Sequence, residues 1–251
     1  MTRSSAIMSD MATDNSQLHL SMLPRESLRP VYIEMMYSPD GPNATEVSDI
    51  FLLAKGTGFF YNVDGQYHLV TARHNFSGKH WETNEFLPTN YAAAPTHVAV
   101  GFRASRPTAV YQTGFQVPVQ QYLLKLVDDG WNPIWREHPR FGGSVDIAAL
   151  AFHVPTDQGE VIVDAWDEVP LAQDPVSRLW VSQDVSVVGY PYGLRGSFDL
   201  PLWTGGTIAS EPALLHHYRG KEYPLFLIDS RSRSGQSGSV KSRDVVYDVV
   251  V

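Results

Sequence analysis

A chain of 251 residues with 43% hydrophobic and 18% charged residues can bury a sizeable core, as one large domain or two packed halves, and is not a disordered chain. Its formal charge of -8 argues against nucleic-acid binding, which wants a basic face; the absence of cysteine excludes a disulfide-stapled scaffold, a thiolate zinc site and a cysteine nucleophile. No apolar run reaches bilayer-spanning length and Met1 to Asn15 lacks the basic-then-apolar order of a signal peptide, so cytoplasmic residence off the membrane is the default expectation.

Residues 1–29 are polar, rich in Ser and Met and without a sustained period, and read as a mobile tail. The first strand candidate is Val31 to Tyr37, followed by a turn at Pro39-Asp40-Gly41-Pro42. Short runs rich in Val, Ile, Tyr, Phe and Thr follow at 50–61, 66–72, 97–103, 108–117, 147–153, 160–164, 185–190, 201–210 and 224–230. Asn62-Val63-Asp64-Gly65 is a hairpin signal between the first two. The helix candidates are 119–127 and 77–83. Many short strands with sparse helix predict an all-β sandwich or pair of barrels. Residues 77–96 and 128–144 are rich in Pro, Gly, Asn and Trp and read as long loops. In the second, Trp131 and Trp135 either roof a cleft or pack beneath their own loop.

Three local contexts carry chemistry. His74 falls just beyond the 66–72 run, where a strand-anchored loop presents a side chain, and histidine titrates near neutrality. Asp146 precedes the apolar run Ile147-Ala148-Ala149-Leu150, where a carboxylate is costly unless it accepts hydrogen bonds; donation from the His74 ring meets that need. Ser237 lies in Gly235-Gln236-Ser237-Gly238-Ser239, and the amides of Gly235 and Ser237 can point into one oxyanion hole. Together these suit a serine nucleophile, its base and an orienting acid. The competing readings are a Ser/Gly-rich surface loop, a bystander histidine among nine and an ordinary turn aspartate. His216-His217 makes a poor chelate because neighbours on a strand face opposite sides. A metallohydrolase would need a third ligand, so no metal and no cofactor are expected.

The order and surroundings of these motifs resemble the trypsin-like (chymotrypsin-fold) serine peptidases, especially the bacterial disulfide-free branch with Deg-type proteases and glutamyl endopeptidases. The resemblance covers roughly residues 50–240. Gly56-Thr57-Gly58-Phe59-Phe60 resembles the glycine-rich strand before the histidine; Val70-Thr71-Ala72-Arg73-His74 the Thr-Ala-x-His box; Asp146-Ile147-Ala148 the Asp-Ile-Ala box. Val188-Gly189-Tyr190-Pro191-Tyr192-Gly193 and Thr204-Gly205-Gly206-Thr207-Ile208 resemble a turn and strand of the second barrel, and Asp229 stands eight positions before Ser237. The resemblance implies two six-stranded antiparallel β-barrels, 30–155 and 156–251, with His74 as base, Asp146 as orienter, Ser237 as nucleophile and the Gly235 and Ser237 amides as oxyanion hole. The implied function is a serine endopeptidase acting through an acyl-enzyme on a protein or peptide substrate. The alternative is a catalytically impaired trypsin-like module that binds proteins or peptides as a scaffold.

Departures from the pattern have consequences. Gln236 replaces the Asp of digestive members, which predicts activation without cleavage of the N-terminal tail. Val240 stands where Pro is common, and only 12 residues follow Ser239, so the second barrel is expected to be incomplete at its C-terminus, with Val245 to Val251 supplying one strand. Arg231 and Arg233, just upstream of Ser237, either contact an acidic substrate side chain or point to solvent.

Overall fold

The computed structural model describes residues 23–44, 50–80, 82–87, 93–104, 110–111, 114–115, 119–155, 161–167, 179–230 and 240–242. Its strands are β1 (Pro30–Tyr37), β2 (Phe51–Val63), β3 (Gln66–Thr71), β4 (His97–Ala104), β5 (Val110–Tyr111), β6 (Gly114–Phe115), β7 (Val119–Lys125), β8 (Arg136–Glu137), β9 (Ala148–Phe152), β10 (Val161–Ile162), β11 (Trp166–Asp167), β12 (Asp184–Gly189), β13 (Leu202–Ile208), β14 (His216–Tyr218), β15 (Lys221–Tyr223), β16 (Ile228–Ser230) and β17 (Val240–Ser242). Among the described residues the single α-helix, α1, spans Arg73–Ser77, beside a few three-residue 3-10 turns. The protein is all-β.

Six strands of five or more residues form the first sheet, antiparallel in the order β7, β4, β1, β2, β3, β9. The β2–β3 hairpin turns on Asp64 (φ 49°) and Gly65 (φ 82°). Both lie in the left-handed region that a two-residue type I′ turn requires. The open seam between β7 and β9 is spanned by the 126–137 segment. The Ile134 N–H donates to the Leu126 carbonyl (3.0 Å), and β8 then pairs with β9 at Ala148 and Ala149. Residues 128–144 are therefore part of the first sheet's framework and not a free insertion.

Inside the first sheet, Phe60, Phe102 and Phe152 meet with centroids 5.0 to 5.8 Å apart, and Tyr122 meets Phe102 edge-on at 5.3 Å. Ile33, Leu69, Val98, Val100 and Leu126, each without solvent exposure, complete the cluster. Burial of such side chains supplies about 1.5–3 kcal/mol each. Trp135 packs against Phe76 at this core, whereas Trp131 lies against Gly41 with half its surface exposed.

Two helix expectations are corrected. Residues 119–125 form β7, every one of them paired with β4, because Tyr122 gains a core partner in Phe102 only as a strand. Over 77–83 the helix stops at Ser77: Gly78 turns left-handed (φ 67°) and Lys79 bridges Phe86. The first sheet also extends beyond residue 155, since β10 pairs with β4 and β11 runs parallel to β2. Residues 24–29, assigned by composition to the tail, dock on the fold. Arg25 and Arg29 pair with Asp164 (2.7 and 3.3 Å), and Arg29 stacks over Trp166.

Among the described residues the second sheet runs β16, β13, β12, β17, and β14 and β15 pair as a separate hairpin. The expected strand Val245 to Val251 lies outside the described residues. The two sheets meet at Tyr190, which is buried. Its main-chain N–H donates to Thr57 Oγ1 (3.0 Å) and its hydroxyl reaches the Pro30 carbonyl (3.3 Å). Its ring meets Tyr32 edge-on, and Arg195 lies 4.1 Å over the other ring of that pair. Burial pushes the Tyr190 phenol above its ordinary range; burial and its bond to Glu34 do the same to Tyr32.

Candidate active site

The β3–β9 register dictates which side chains meet. Thr71 lies opposite Ala148. Continuing that ladder two positions sets Asp146 across from Arg73, beside His74. Past Thr71, Ala72 is extended and α1 begins, so His74 sits in the first turn of a five-residue helix closed by Gly78, whose N–H donates to the His74 carbonyl.

Asp146 has a fully buried carboxylate, and both oxygens are used on His74. Oδ1 accepts the His74 main-chain N–H at 2.8 Å, and Oδ2 lies 2.5 Å from Nδ1. An ionised carboxylate only accepts, so the ring hydrogen sits on Nδ1 and leaves Nε2 as the basic nitrogen. Two-point attachment fixes ring and backbone together. The His74 side chain keeps 18% exposure, enough for its outer edge to meet a reactant.

From the residue after His74 runs a buried polar chain. Asn75 Nδ2 donates to Thr71 Oγ1 (2.8 Å), which donates to the Thr57 carbonyl (2.7 Å); the Thr57 hydroxyl in turn accepts the Tyr190 N–H. The chain links the helix that carries His74 to the second sheet. Gly56 makes room for it: a Cβ there would come within 2.8 Å of Asn75 Nδ2. Thr57 and Thr71 lie inside the sequence motifs and Asn75 directly follows the histidine box, but nothing in their spacing signalled that they bond to one another.

Ser237, Gly235, Arg231 and Arg233 lie outside the described residues. The flanking strands are described: Ser230 ends β16 opposite Gly206 of β13, and Val240 opens β17 opposite Val188 of β12. A cavity of about 620 Å³ lies on the second sheet, lined by Asp184, Trp203, Thr204, Thr207, Asp229 and Ser230 around Gly205 and Gly206. Its described wall carries two carboxylates and no basic side chain. His216 and His217 lie on the β14–β15 hairpin, His217 against Glu222 at 3.4 Å. Among the described residues no group of three or more His, Asp or Glu is placed to hold a metal ion. Among the described residues no helix is long and apolar enough to cross a membrane.

A family model for the trypsin-like peptidase domain matches residues 56–240. Among solved structures, the chain is similar to the active form of the Rv3671c protease from M. tuberculosis, at 18% identity and a TM-score of 0.40, over 86% of this chain and 65% of that one. It is likewise similar to the inactive form of Rv3671c from M. tuberculosis H37Rv carrying a serine-to-alanine mutation, at 17% identity and a TM-score of 0.39, over 86% and 72%. The chain thus spans about two-thirds of the length of those proteases. No curated protein matches it.

Proposed function

This chain belongs to the trypsin-like peptidase family, and from that premise we propose that it is a serine endopeptidase working through an acyl-enzyme. His74 Nε2 takes the proton of Ser237 Oγ as that oxygen attacks the scissile carbonyl. Asp146 holds the ring in the required tautomer and balances the imidazolium that forms, and the Gly235 and Ser237 amides receive the developing oxyanion. His74 then returns the proton to the leaving amine, and water repeats the sequence to release the acid. The observation that carries this reading is the buried two-point grip of Asp146 on His74. An isolated buried carboxylate is costly, and its use on both atoms of one histidine is what a base needing a fixed tautomer requires.

The experiment is hydrolysis of a peptide library by the wild-type chain and by His74→Ala and Ser237→Ala. Wild-type cleavage, lost by about a millionfold in both variants, supports the reading; equal cleavage by all three removes it. The same library tests Arg231 and Arg233 as contacts for an acidic substrate side chain. Cleavage after acidic and apolar residues at equal rates removes that assignment.

A further inference from the structure

We propose that Arg73 and Glu137 form a second clasp on the catalytic histidine's turn, so that both are positioning residues for His74. The proposal rests on the reading of His74 as base. Arg73 Nε donates to Glu137 Oε1 at 2.7 Å, and the Arg73 side chain is only 13% exposed. Its guanidinium lies flat against Gly143, where a Cβ would come within 3.0 Å of both Cζ and Nε.

The acids on these two consecutive residues come from one segment. Glu137 is in β8 opposite Ala148 of β9, and Asp146 stands just before β9. Between them the chain is tied to itself. The Gly142 N–H donates to the His138 carbonyl (2.8 Å), and His138 Nδ1 accepts the Arg140 and Phe141 N–H groups (3.1 and 3.2 Å). One stiff loop therefore offers a carboxylate at each end, Asp146 to His74 and Glu137 to Arg73. A helix of five residues has little rigidity of its own. Gripped at one residue it can still pivot; gripped at two adjacent residues it cannot.

The test uses the full chain labelled with ¹⁵N-histidine, with the His74 ring signals identified from His74→Gln. The variants are Glu137→Gln, Arg73→Gln and the two combined, each of which removes the 2.7 Å pair. All three exchange the Nδ1 proton with solvent faster than wild type and lose kcat on the order of tenfold with little change in KM. The proposal is overturned if the folded single variants keep the wild-type exchange rate. Should the single variants not fold, Arg73→Lys decides: faster Nδ1 exchange supports the clasp and an unchanged rate overturns it. If Ser237→Ala leaves peptide cleavage intact, the peptidase reading fails while the ring measurements still judge this clasp.

Discussion

The main-chain N–H of Tyr190 donates to the side chain of Thr57 at 3.0 Å, both groups being buried where the two sheets meet. Thr57 lies in β2, whose pairing with β3 leads to His74, and Tyr190 follows β12, which pairs with the strand just after Ser237. A single hydroxyl therefore joins the frame of the proposed base to the frame of the proposed nucleophile.

Replacing that hydroxyl by a methyl of the same shape, Thr57→Val, leaves a buried amide without its partner. Urea unfolding should show a loss of about 1–3 kcal/mol. Peptide cleavage should fall more steeply than the folded fraction, because the halves lose their fixed relation. An unfolding midpoint and a rate both equal to wild type would contradict the link.

Gly56→Ala tests the same chain from beneath. Its new Cβ would stand 2.8 Å from Asn75 Nδ2 and must displace it. Overpacking of this kind costs about 1–3 kcal/mol, read as a lower thermal midpoint. The added Asn75→Ala substitution should recover part of the loss by vacating the space. Additive losses in the double variant would show that Asn75 is not what the new methyl meets.

Asp146→Asn keeps the size of the orienting side chain and removes its charge. The amide can bond to either tautomer, so Nε2 no longer reliably presents a lone pair. Turnover should fall by about four orders of magnitude with the fold retained; a loss smaller than tenfold would deny Asp146 its role.

His97 sets a pH dependence of stability unrelated to catalysis. It is 1% exposed, with Nδ1 2.9 Å from Thr96 Oγ1 and Nε2 3.3 Å from the Pro42 carbonyl. The Ser38 N–H donates to the same threonine oxygen, leaving its hydrogen for Nδ1. Burial lowers the His97 pKa below its ordinary 6.5, the Pro42 carbonyl opposes this, and the Lys125 cation adds to it. Between the lowered native value and 6.5 the unfolded chain binds a proton that the folded chain refuses. The contribution is therefore whole above pH 6.5 and is lost as pH falls through the native value. Denaturant midpoints should drop on going from neutral to mildly acidic buffer, and His97→Gln should drop less. Equal slopes for the two proteins would refute the assignment.

Most strands of the first sheet were legible because their apolar and β-branched runs are local signals bounded by turn residues, as with Asp64-Gly65. β7 was not: Val119 to Lys125 is polar enough to pass for a helix, and only its pairing with β4, far off in sequence, decides it. β8 and β11 are two residues each and carry no pattern of their own. The His74 and Asp146 motifs announced themselves, and their meeting follows from the β3–β9 register. Glu137 did not, since nothing within its loop reveals that Arg73 lies opposite. Ser237, Gly235, Arg231 and Arg233 were legible only as a motif and fall outside the described residues.

The central claim is that the Ser237 hydroxyl is a nucleophile activated by His74. The direct measurement is reaction of the full chain with a fluorophosphonate, followed by peptide mapping. The account predicts one phosphonyl group per chain, on Ser237, formed slowly or not at all in His74→Ala. A folded wild-type chain that takes up no label, or takes it up equally without His74, would contradict it.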